Sequence, residues 1–218
     1  MGSMTSPASD SLSDIWERLD SRVKRVDEER WLSSRYAPLS ERRTLVVLYA
    51  FYYELARVRV SVSDPIMGQI RFQWWRDALS ELAQGERRQH DVVTALAAEI
   101  EAERLSPDRL QALVAQFEAA FIASDRTQEP EGELAELAVA ICSSSEEETA
   151  FDHGIAAQWA SLRRGEEIAE PLPRLRVASR VRPALAHFRL RFLWRRGGKI
   201  GRLQTRLAIL MAVLTGGV

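Results

Sequence analysis

Apolar residues recur at intervals of three and four positions along most of the chain, which is the spacing of one face of an α-helix. The first such stripe comprises Leu12, Ile15, Trp16, Leu19 and Val23. Ser13 or Asp14 is predicted to cap this helix, and a short helix over residues 27–35 is predicted to follow. No segment alternates for long with the two-residue period of a β-strand. The pattern therefore predicts an all-α protein.

The most distinctive pattern lies between residues 36 and 78, where two amphipathic helices are predicted to meet at SDP, residues 63–65. Ser40 is predicted to cap the first helix and Asp64 the second, and Pro65 suits a first helical position because its missing amide would be unpaired there. The predicted face of the first helix comprises Leu45, Leu48, Tyr49, Tyr52, Leu55, Ala56 and Arg59. The predicted face of the second comprises Ile66, Ile70, Gln73, Trp74 and Asp77. The pattern alone fits either a core hairpin or a ligand site.

Beyond Gly85 the pattern is again helical but less distinctive. One predicted stripe comprises Val92, Val93, Leu96, Ile100 and Leu105. A helix is predicted to begin at Ser106-Pro107, and its apolar face comprises Leu110, Leu113, Val114, Phe117 and Phe121. Residues 124–132 are predicted to form a loop and residues 134–141 a helix. Ser145 and Glu148 have the spacing of a capping box for a last helix that ends near Leu162.

The composition is typical of a soluble globular domain. Apolar residues make up 46% of the 218 positions and charged residues 28%, which are ordinary values. The length is sufficient for one well-buried core. The single cysteine, Cys142, excludes an internal disulfide and a multi-cysteine metal site. Its apolar surroundings predict a buried, unreactive thiol.

The near-neutral net charge of −1 conceals an uneven distribution along the chain. Residues 163–206 contain thirteen arginines or lysines and three glutamates, a balance of +10 that leaves −11 for the remainder. Such asymmetry indicates an anionic partner for the C-terminal part. Lysine occurs only at Lys24 and Lys199. Some of the arginines are therefore expected to occupy ordinary solvent-exposed positions where other proteins have lysine.

No catalytic residue or metal ligand is assigned from motifs. The three histidines, His90, His153 and His187, have no second histidine three or four positions away, so no helical metal-ligand pair is predicted. The chain has no glycine-rich phosphate loop and no serine–histidine–aspartate grouping at a supporting spacing.

Residues 1–10 are small and polar, with neither the apolar stretch of a secretory signal nor the pattern of a mitochondrial transit peptide. Their first six letters, MGSMTS, formally match a myristoylation pattern. Residues 1–3 are instead interpreted as a remnant of cloning before a native start at Met4. A disordered leader is therefore expected over residues 1–10, followed by a single domain over residues 11–218.

The central hairpin resembles a known family. Its segments YAFYYELARVR and VSDPIMGQIRFQWWRDAL resemble the squalene/phytoene synthase superfamily, within it the branch that includes the mitochondrial complex I assembly factor and its bacterial relatives. The resemblance covers roughly residues 27–175 and implies a single all-α domain with the isoprenoid synthase fold around a central cavity. Catalytic members of the family are head-to-head prenyl transferases that bind Mg²⁺ through two aspartate-rich motifs.

Neither aspartate-rich motif is retained. Where the first should follow the YAF segment, the chain has ARVRV, residues 56–60. Near the second, Gln158 and Arg164 keep the register, but Gly165 stands where the motif has aspartate. Mg²⁺ is held by carboxylates, and diphosphate oxygens complete its octahedron. Arg57 and Arg59 instead offer cations that suit phosphate oxygens directly.

The resemblance therefore implies a non-catalytic protein that binds an isoprenoid or anionic lipid, or a protein partner in respiratory complex assembly. The candidate ligand-binding residues are Tyr49, Tyr52, Tyr53, Arg57, Gln73, Trp74 and Gln158. No cofactor is expected for such a protein. The alternative is an active head-to-head prenyl transferase that uses Mg²⁺ with unconventional ligands. Those ligands would come from Glu54, Asp64, Asp77, Glu166 and Glu167.

The segment from about residue 174 is basic and aromatic and then apolar, and two interpretations remain open. It is either a final amphipathic helix that packs on the bundle, or an interfacial anchor with Phe188, Phe192 and Trp194 among lipid headgroups. Residues 207–214 are too few to cross a bilayer, which takes about 20 apolar residues. Nucleic acid is less favoured, because no RNA-binding signature accompanies the arginines. The expected location is the cytoplasm, with a peripheral contact to the inner membrane.

Overall fold

The computed structural model describes residues 11–62, 64–144, 153–166, 173–197 and 200–218. Within these ranges the regular structure is helical, apart from one short antiparallel contact between Arg176 and Gly217. The α-helices are α1 (Leu12–Val26), α2 (Glu28–Ser34), α3 (Leu39–Ser61), α4 (Pro65–Ala83), α5 (Asp91–Glu101), α6 (Pro107–Ile122), α7 (Glu131–Cys142), α8 (His153–Arg163), α9 (Arg182–Leu185), α10 (Arg191–Trp194) and α11 (Arg202–Thr215). Short 3₁₀ helices occupy Arg126–Gln128 and Ala186–Leu190. The prediction of an all-α protein is confirmed.

The helix starts are only partly those predicted. Asp64 caps α4, and its carboxylate accepts hydrogen bonds from the amides of Ile66 and Met67, as predicted. The cap of α1 is Ser11 rather than Ser13, and Asp14 completes a capping box with it from the third helical position. The prediction for α1 was therefore displaced by two residues.

The prediction that Ser40 caps α3 was wrong. This helix begins at Leu39, and Pro38 occupies the N-cap position without a side-chain hydrogen bond. Because Pro38 already has the extended backbone of an N-cap, the helix starts one residue earlier and Ser40 lies inside its first turn. The capping box predicted at Ser145 and Glu148 lies outside the described residues.

α3 is the central helix of the bundle. The helices α1, α2, α4, α5, α6 and α7 all pack around it, and every residue from 44 to 52 is buried. The predicted face with Leu45, Leu48 and Tyr49 is buried, but Val47 and Phe51 on other sides are buried as well. The single-face prediction was incomplete, because a helix enclosed by neighbours is apolar all round.

The face of α4 that packs against the core is not the face predicted from the sequence. Its buried residues are Gly68, Phe72, Trp75, Ala78 and Leu79. The predicted group with Ile66 and Ile70 does share a face, but those two isoleucines are exposed. The inner face packs on α6, where a Cβ at Gly68 would lie 2.2 Å from the Phe121 ring. Glycine at this position therefore allows the two helices to approach closely.

The later helices agree better with their patterns. Val92, Val93, Leu96 and Leu105 are buried, as are Leu110, Leu113, Val114 and Phe117 of α6. The predicted loop over residues 124–132 contains the 3₁₀ turn, and α7 begins within it at Glu131. Cys142, at the end of α7, is buried as predicted, and burial raises the pKa of its thiol to about 12.

The C-terminal residues fold back onto the bundle. The backbones of Leu175 and Val218 exchange two hydrogen bonds of 3.1 and 3.0 Å. Gly216 ends α11 with a φ of +72°, and a Cβ there would lie 2.8 Å from the carbonyl oxygen of Val177. Phe188 is fully buried, so its predicted place among lipid headgroups was wrong. None of the described helices is long and apolar enough to cross a bilayer.

Candidate functional site

The predicted ligand-binding residues do not form one site. Two of them lie on the surface away from the others: Gln73 on the outer face of α4 and Gln158 on α8, both exposed. The side-chain amide of Gln73 donates to Asp77 at 2.6 Å and its carbonyl accepts from Arg76 at 3.1 Å. Gln73 is therefore held by its own helix. The other five residues divide between the bundle interior and one surface pocket.

The interior contains four charged residues that bind one another: Asp27, Arg30, Glu131 and Arg163. We refer to them as the buried charge cluster. Asp27 lies where α1 meets α2, and its carboxylate accepts two bonds of 2.7 Å from Arg163 at the end of α8. The Arg30 guanidinium donates to Asp27 at 3.1 Å and also to Glu131 at the start of α7. The Tyr53 hydroxyl donates to Asp27 as well. The cluster therefore joins four helices through charge-assisted hydrogen bonds.

These charges are nearly cancelled by one another. Burial alone would raise the pKa of Asp27, but the charges of Arg163 and Arg30 outweigh it and hold that pKa well below its usual range. Burial alone would lower the pKa of Arg30 and of Arg163, but attraction to the carboxylates outweighs burial and raises both pKa values. Asp27 and the two arginines are therefore ionised at neutral pH. Removing one member would leave a charge without its partner, and charges this well paired leave little attraction for a charged ligand.

Beside the cluster, several buried polar atoms have no hydrogen-bond partner among the described residues. They are the hydroxyls of Tyr49 and Tyr52 and both ring nitrogens of His187. Burial raises the pKa of both tyrosines and lowers that of His187 well below its usual value, so all three are neutral at pH 7. The two tyrosines are only 1% and 2% exposed. They contact protein on every side, and any group they bind would be as small as a buried water.

A pocket of about 250 Å³ lies on the surface between α3, α4 and the start of α5. Its lining comprises Glu54, Arg57, Val58, Arg71, Trp74, Trp75 and His90. The rings of Trp74, Trp75 and His90 meet edge to face, with centroids 4.9 to 5.6 Å apart. Arg57 and Trp74 are thus the two predicted ligand-binding residues that share an accessible site.

The pocket carries uncompensated positive charge. Arg57 makes no hydrogen bond or ion pair with any described residue, and Arg71 donates only to the Ser61 hydroxyl, at 3.2 Å. The carboxylate of Glu54 is paired with Arg22 at 2.5 Å. Burial lowers the pKa of His90, so its ring is neutral at pH 7. Two arginines beside an aromatic wall suit a phosphate or another small anion.

Two exposed apolar side chains lie one helical turn from residues of this pocket. Val60 follows Arg57 by three residues, and Ile70 precedes Trp74 by four, so each lies one helical turn from a pocket residue. Val60 is 86% exposed and Ile70 is 54% exposed. The mouth of the pocket therefore combines cationic and apolar surface, which is the combination that an anionic amphiphile would contact.

The family of the chain follows from a comparison with known families. The sequence model described as squalene/phytoene synthase matches residues 23–138, more than half of the chain and all of α2 to α6. This chain belongs to the squalene/phytoene synthase family. The family has the all-helical isoprenoid synthase fold, which agrees with the helices described above.

One curated relative resembles part of the chain. NADH dehydrogenase (ubiquinone) complex I, assembly factor 6, from Rattus norvegicus is 37% identical over 60 residues, which are 28% of this chain and 18% of the rat protein. The chain therefore aligns with less than a fifth of that relative's length, and the likeness is local. No solved structure matches the chain.

The residues at the first metal motif of the squalene/phytoene synthase family do not fit Mg²⁺ here. Arg57 opens into the pocket, and Arg59 is bound to Glu129 at 3.2 Å and to the Ala120 carbonyl at 3.0 Å. Within the described ranges, no three histidine, cysteine, aspartate or glutamate residues lie together as metal ligands would. Two guanidinium groups would repel the cation that carboxylates should attract.

The carboxylates named for the catalytic alternative have other partners. Asp64 caps α4, Asp77 accepts from Gln73, and Glu166 pairs with Arg164 at 2.6 Å. Glu54 is held by Arg22. Glu167 lies outside the described residues. The carboxylates that the structure describes therefore lie on separate elements, and each of them binds a cation or an amide of the protein itself.

The buried charge cluster was missed by sequence reasoning. Asp27 and Arg30 stand in the charged run DEER, which is typical of a solvated helix start, and Arg163 and Arg164 were assigned to the basic C-terminal part. One signal was available, because Arg163 follows Trp159 by one helical turn and so shares its face. Trp159 is fully buried, which predicts a buried guanidinium beside it.

Proposed function

We propose that this protein is a non-catalytic member of the squalene/phytoene synthase family that binds an anionic amphiphile, an isoprenoid or lipid phosphate, without a metal ion. The observation that carries the proposal is the guanidinium of Arg57, which has no hydrogen-bond or ion-pair partner among the described residues. It opens into an accessible pocket at the position where catalytic members have their first aspartate-rich motif.

The chemistry of the pocket supports binding rather than turnover. Ionising an allylic diphosphate requires a divalent metal that neutralises charge on the departing diphosphate. Arg57 and Arg71 can bind phosphate oxygens directly, but they supply no carboxylate to hold that metal. Trp74 and the exposed Val60 and Ile70 offer apolar contact to the chain of such a ligand. The pocket is therefore suited to hold an amphiphile in its intact form.

A calorimetric titration with a non-hydrolysable farnesyl diphosphate analogue tests this function. The analogue is expected to bind equally well with Mg²⁺ and with a chelator, because the arginines provide the positive charge. Binding that requires Mg²⁺, or detectable Mg²⁺-dependent turnover of farnesyl or geranylgeranyl diphosphate, would restore the prenyl transferase alternative. In that case alanine at Glu54 or Glu167 should abolish the product while the fold persists.

Replacing Arg57 with glutamine is expected to weaken analogue binding by about tenfold or more, because a hydrogen bond to a charged group contributes about 1.5–3 kcal/mol. Arg176→Gln is the matched control, since Arg176 is an exposed arginine outside the pocket lining, in the segment that contacts Gly217. Equal affinities of the two variants would count against the pocket as the ligand site.

A second candidate function is assembly of a respiratory complex through a protein partner. It is favoured by the local likeness to the rat complex I assembly factor. Absence of analogue binding in both buffers would favour it over ligand binding. The direct test is then the amount of assembled complex I, on native gels, in cells that lack the protein and in the same cells after it is restored.

A further inference from the structure

α11 has two apolar faces, and the bundle covers only one of them. Thr205, Ile209 and Ala212 are buried against the segment Ala186–Leu190. A second group of aliphatic side chains on α11 is exposed: Leu203, Leu207, Leu210, Met211 and Leu214. At 100° per residue, these five side chains lie within an arc of about 100° on the opposite side of the helix. We refer to them as the outer face of α11.

Exposed arginines lie close to the outer face, and three of them have no carboxylate partner among the described residues. Arg206 is exposed at its border and forms no ion pair with the described residues, and the same is true of Arg195 and Arg196 at the end of α10. Arg202 is 81% exposed and lies 3.8 Å from Glu28. The seven residues from Arg195 to Arg202 span at most about 25 Å, so all four cations stay near the helix.

Several other arginines of this region are already bound to the protein. Arg182 and Arg189 donate to the backbone carbonyls of Val213 and Gly217 at 2.7 and 2.8 Å. Arg163 belongs to the buried charge cluster. The arginines of the C-terminal part that remain available to an anionic partner therefore lie mainly near α11.

We propose that α11 is a membrane-binding helix that lies in the plane of an anionic bilayer. Its outer face enters the boundary between headgroups and acyl chains, while Arg195, Arg196 and Arg206 contact lipid phosphates. This surface differs from the anchor predicted from Phe188, Phe192 and Trp194. It also lies apart from the Arg57 pocket, and the two proposals are tested by different residues.

Charge favours a bilayer over a second copy of the chain. α11 contains no acidic residue, so a two-fold pair formed through its outer face would supply no carboxylate from that helix to the arginines of either copy. A bilayer with anionic lipid instead offers apolar chains to the leucines and phosphates to the arginines at the same boundary. An anionic bilayer therefore matches both the apolar side chains and the arginines of this surface.

Co-sedimentation with lipid vesicles tests the proposal. The full chain is expected to bind vesicles of phosphatidylcholine with about one third phosphatidylglycerol, and to bind pure phosphatidylcholine much more weakly. High salt is expected to weaken binding because it screens the exposed arginines. Absence of binding to the anionic vesicles, or equal binding to both kinds, overturns the proposal.

Four variants locate the contact. Leu207→Asp is expected to lower partitioning at least about tenfold, and Leu203→Asp repeats the test if the first variant folds poorly. Leu39→Asp is the matched control, since Leu39 is 58% exposed and Leu207 is 51% exposed. Arg206→Gln is expected to cost about fivefold at low salt and little at high salt. Equal effects of Leu39→Asp and Leu207→Asp overturn the assignment to α11.

Two further measurements separate the alternatives. Sedimentation velocity that shows a dimer dissociated by Leu207→Asp assigns the outer face to a second copy and overturns the membrane proposal. Leu207→Asp is expected to leave the affinity for the soluble farnesyl diphosphate analogue unchanged, because Leu207 does not line the Arg57 pocket, so failure of the pocket proposal and failure of the membrane proposal are distinguishable.

Discussion

Replacing Asp27 with asparagine is expected to lower the free energy of unfolding by about 3–5 kcal/mol, because it leaves the buried Arg30 and the half-buried Arg163 without their shared carboxylate. Asparagine keeps the shape of the side chain, so the loss would report the charge rather than a cavity. Urea denaturation followed by circular dichroism measures the difference directly.

The same substitution should change the pH dependence of stability. Arg163 and Arg30 hold the pKa of Asp27 well below its usual range in the folded protein, whereas the unfolded value is about 3.9. The stabilisation is therefore fully present above that unfolded pKa and is lost as pH falls through the acidic range. Between about pH 5 and pH 2, the wild type is expected to lose stability more steeply than Asp27→Asn.

An exposed aspartate provides the control for Asp27. Asp108 lies in the first turn of α6 and is exposed, so Asp108→Asn should change the unfolding free energy by no more than about 0.5 kcal/mol. A similarly small change for Asp27→Asn, with parallel pH profiles, would show that the buried charge cluster does not stabilise the fold.

Replacing Arg191 with methionine is expected to be the other large loss, about 2–4 kcal/mol. The Arg191 guanidinium is fully buried and donates to the carbonyls of Pro173 and Val218, at 2.7 and 2.8 Å, and to that of Phe188. It also lies between the rings of Trp159 and Phe192, 4.3 and 4.0 Å from their centroids. Methionine can fill part of this space, but it removes the side-chain donor of the Pro173 carbonyl and leaves the Phe188 and Val218 carbonyls with only their backbone donors.

The effect of Arg191→Met should be concentrated at the C-terminal part. Hydrogen exchange is expected to accelerate at the amides of Leu175, Val177 and Val218, whose hydrogen bonds close the short antiparallel contact. Arg195→Met, at an exposed arginine four residues later, should leave both stability and exchange near the wild-type values. Unchanged exchange in Arg191→Met would contradict its role as the link between these segments.

The existence of the helices could be predicted because each long apolar stripe is set by its own sequence. The orientation of α4 could not, because its inner face depends on close contact with α6 at Gly68 and Phe121, more than fifty residues apart. The start of α3 was misplaced for a local reason: Pro38 provides the N-cap backbone, and this conformation outweighs the capping preference of Ser40.

The candidate site was predictable only where the family resemblance pointed to it. Arg57 and Trp74 meet in one pocket because the hairpin brings α3 and α4 together. Tyr49 and Tyr52 were placed in the ligand site on the same grounds, yet both are sealed in the interior. The contacts of Asp27 with Arg163 join positions 136 residues apart, and no local pattern encodes such a pairing.

The contact between Gly68 and Phe121 also constrains how the sequence can change. With a Cβ at position 68 only 2.2 Å from the Phe121 ring, a side chain cannot be added there unless the ring moves or becomes smaller. The two positions should therefore change together in evolution. Relatives that lack the glycine are expected to carry a smaller residue at position 121, and this correlated exchange of volume would preserve the packing of α4 on α6.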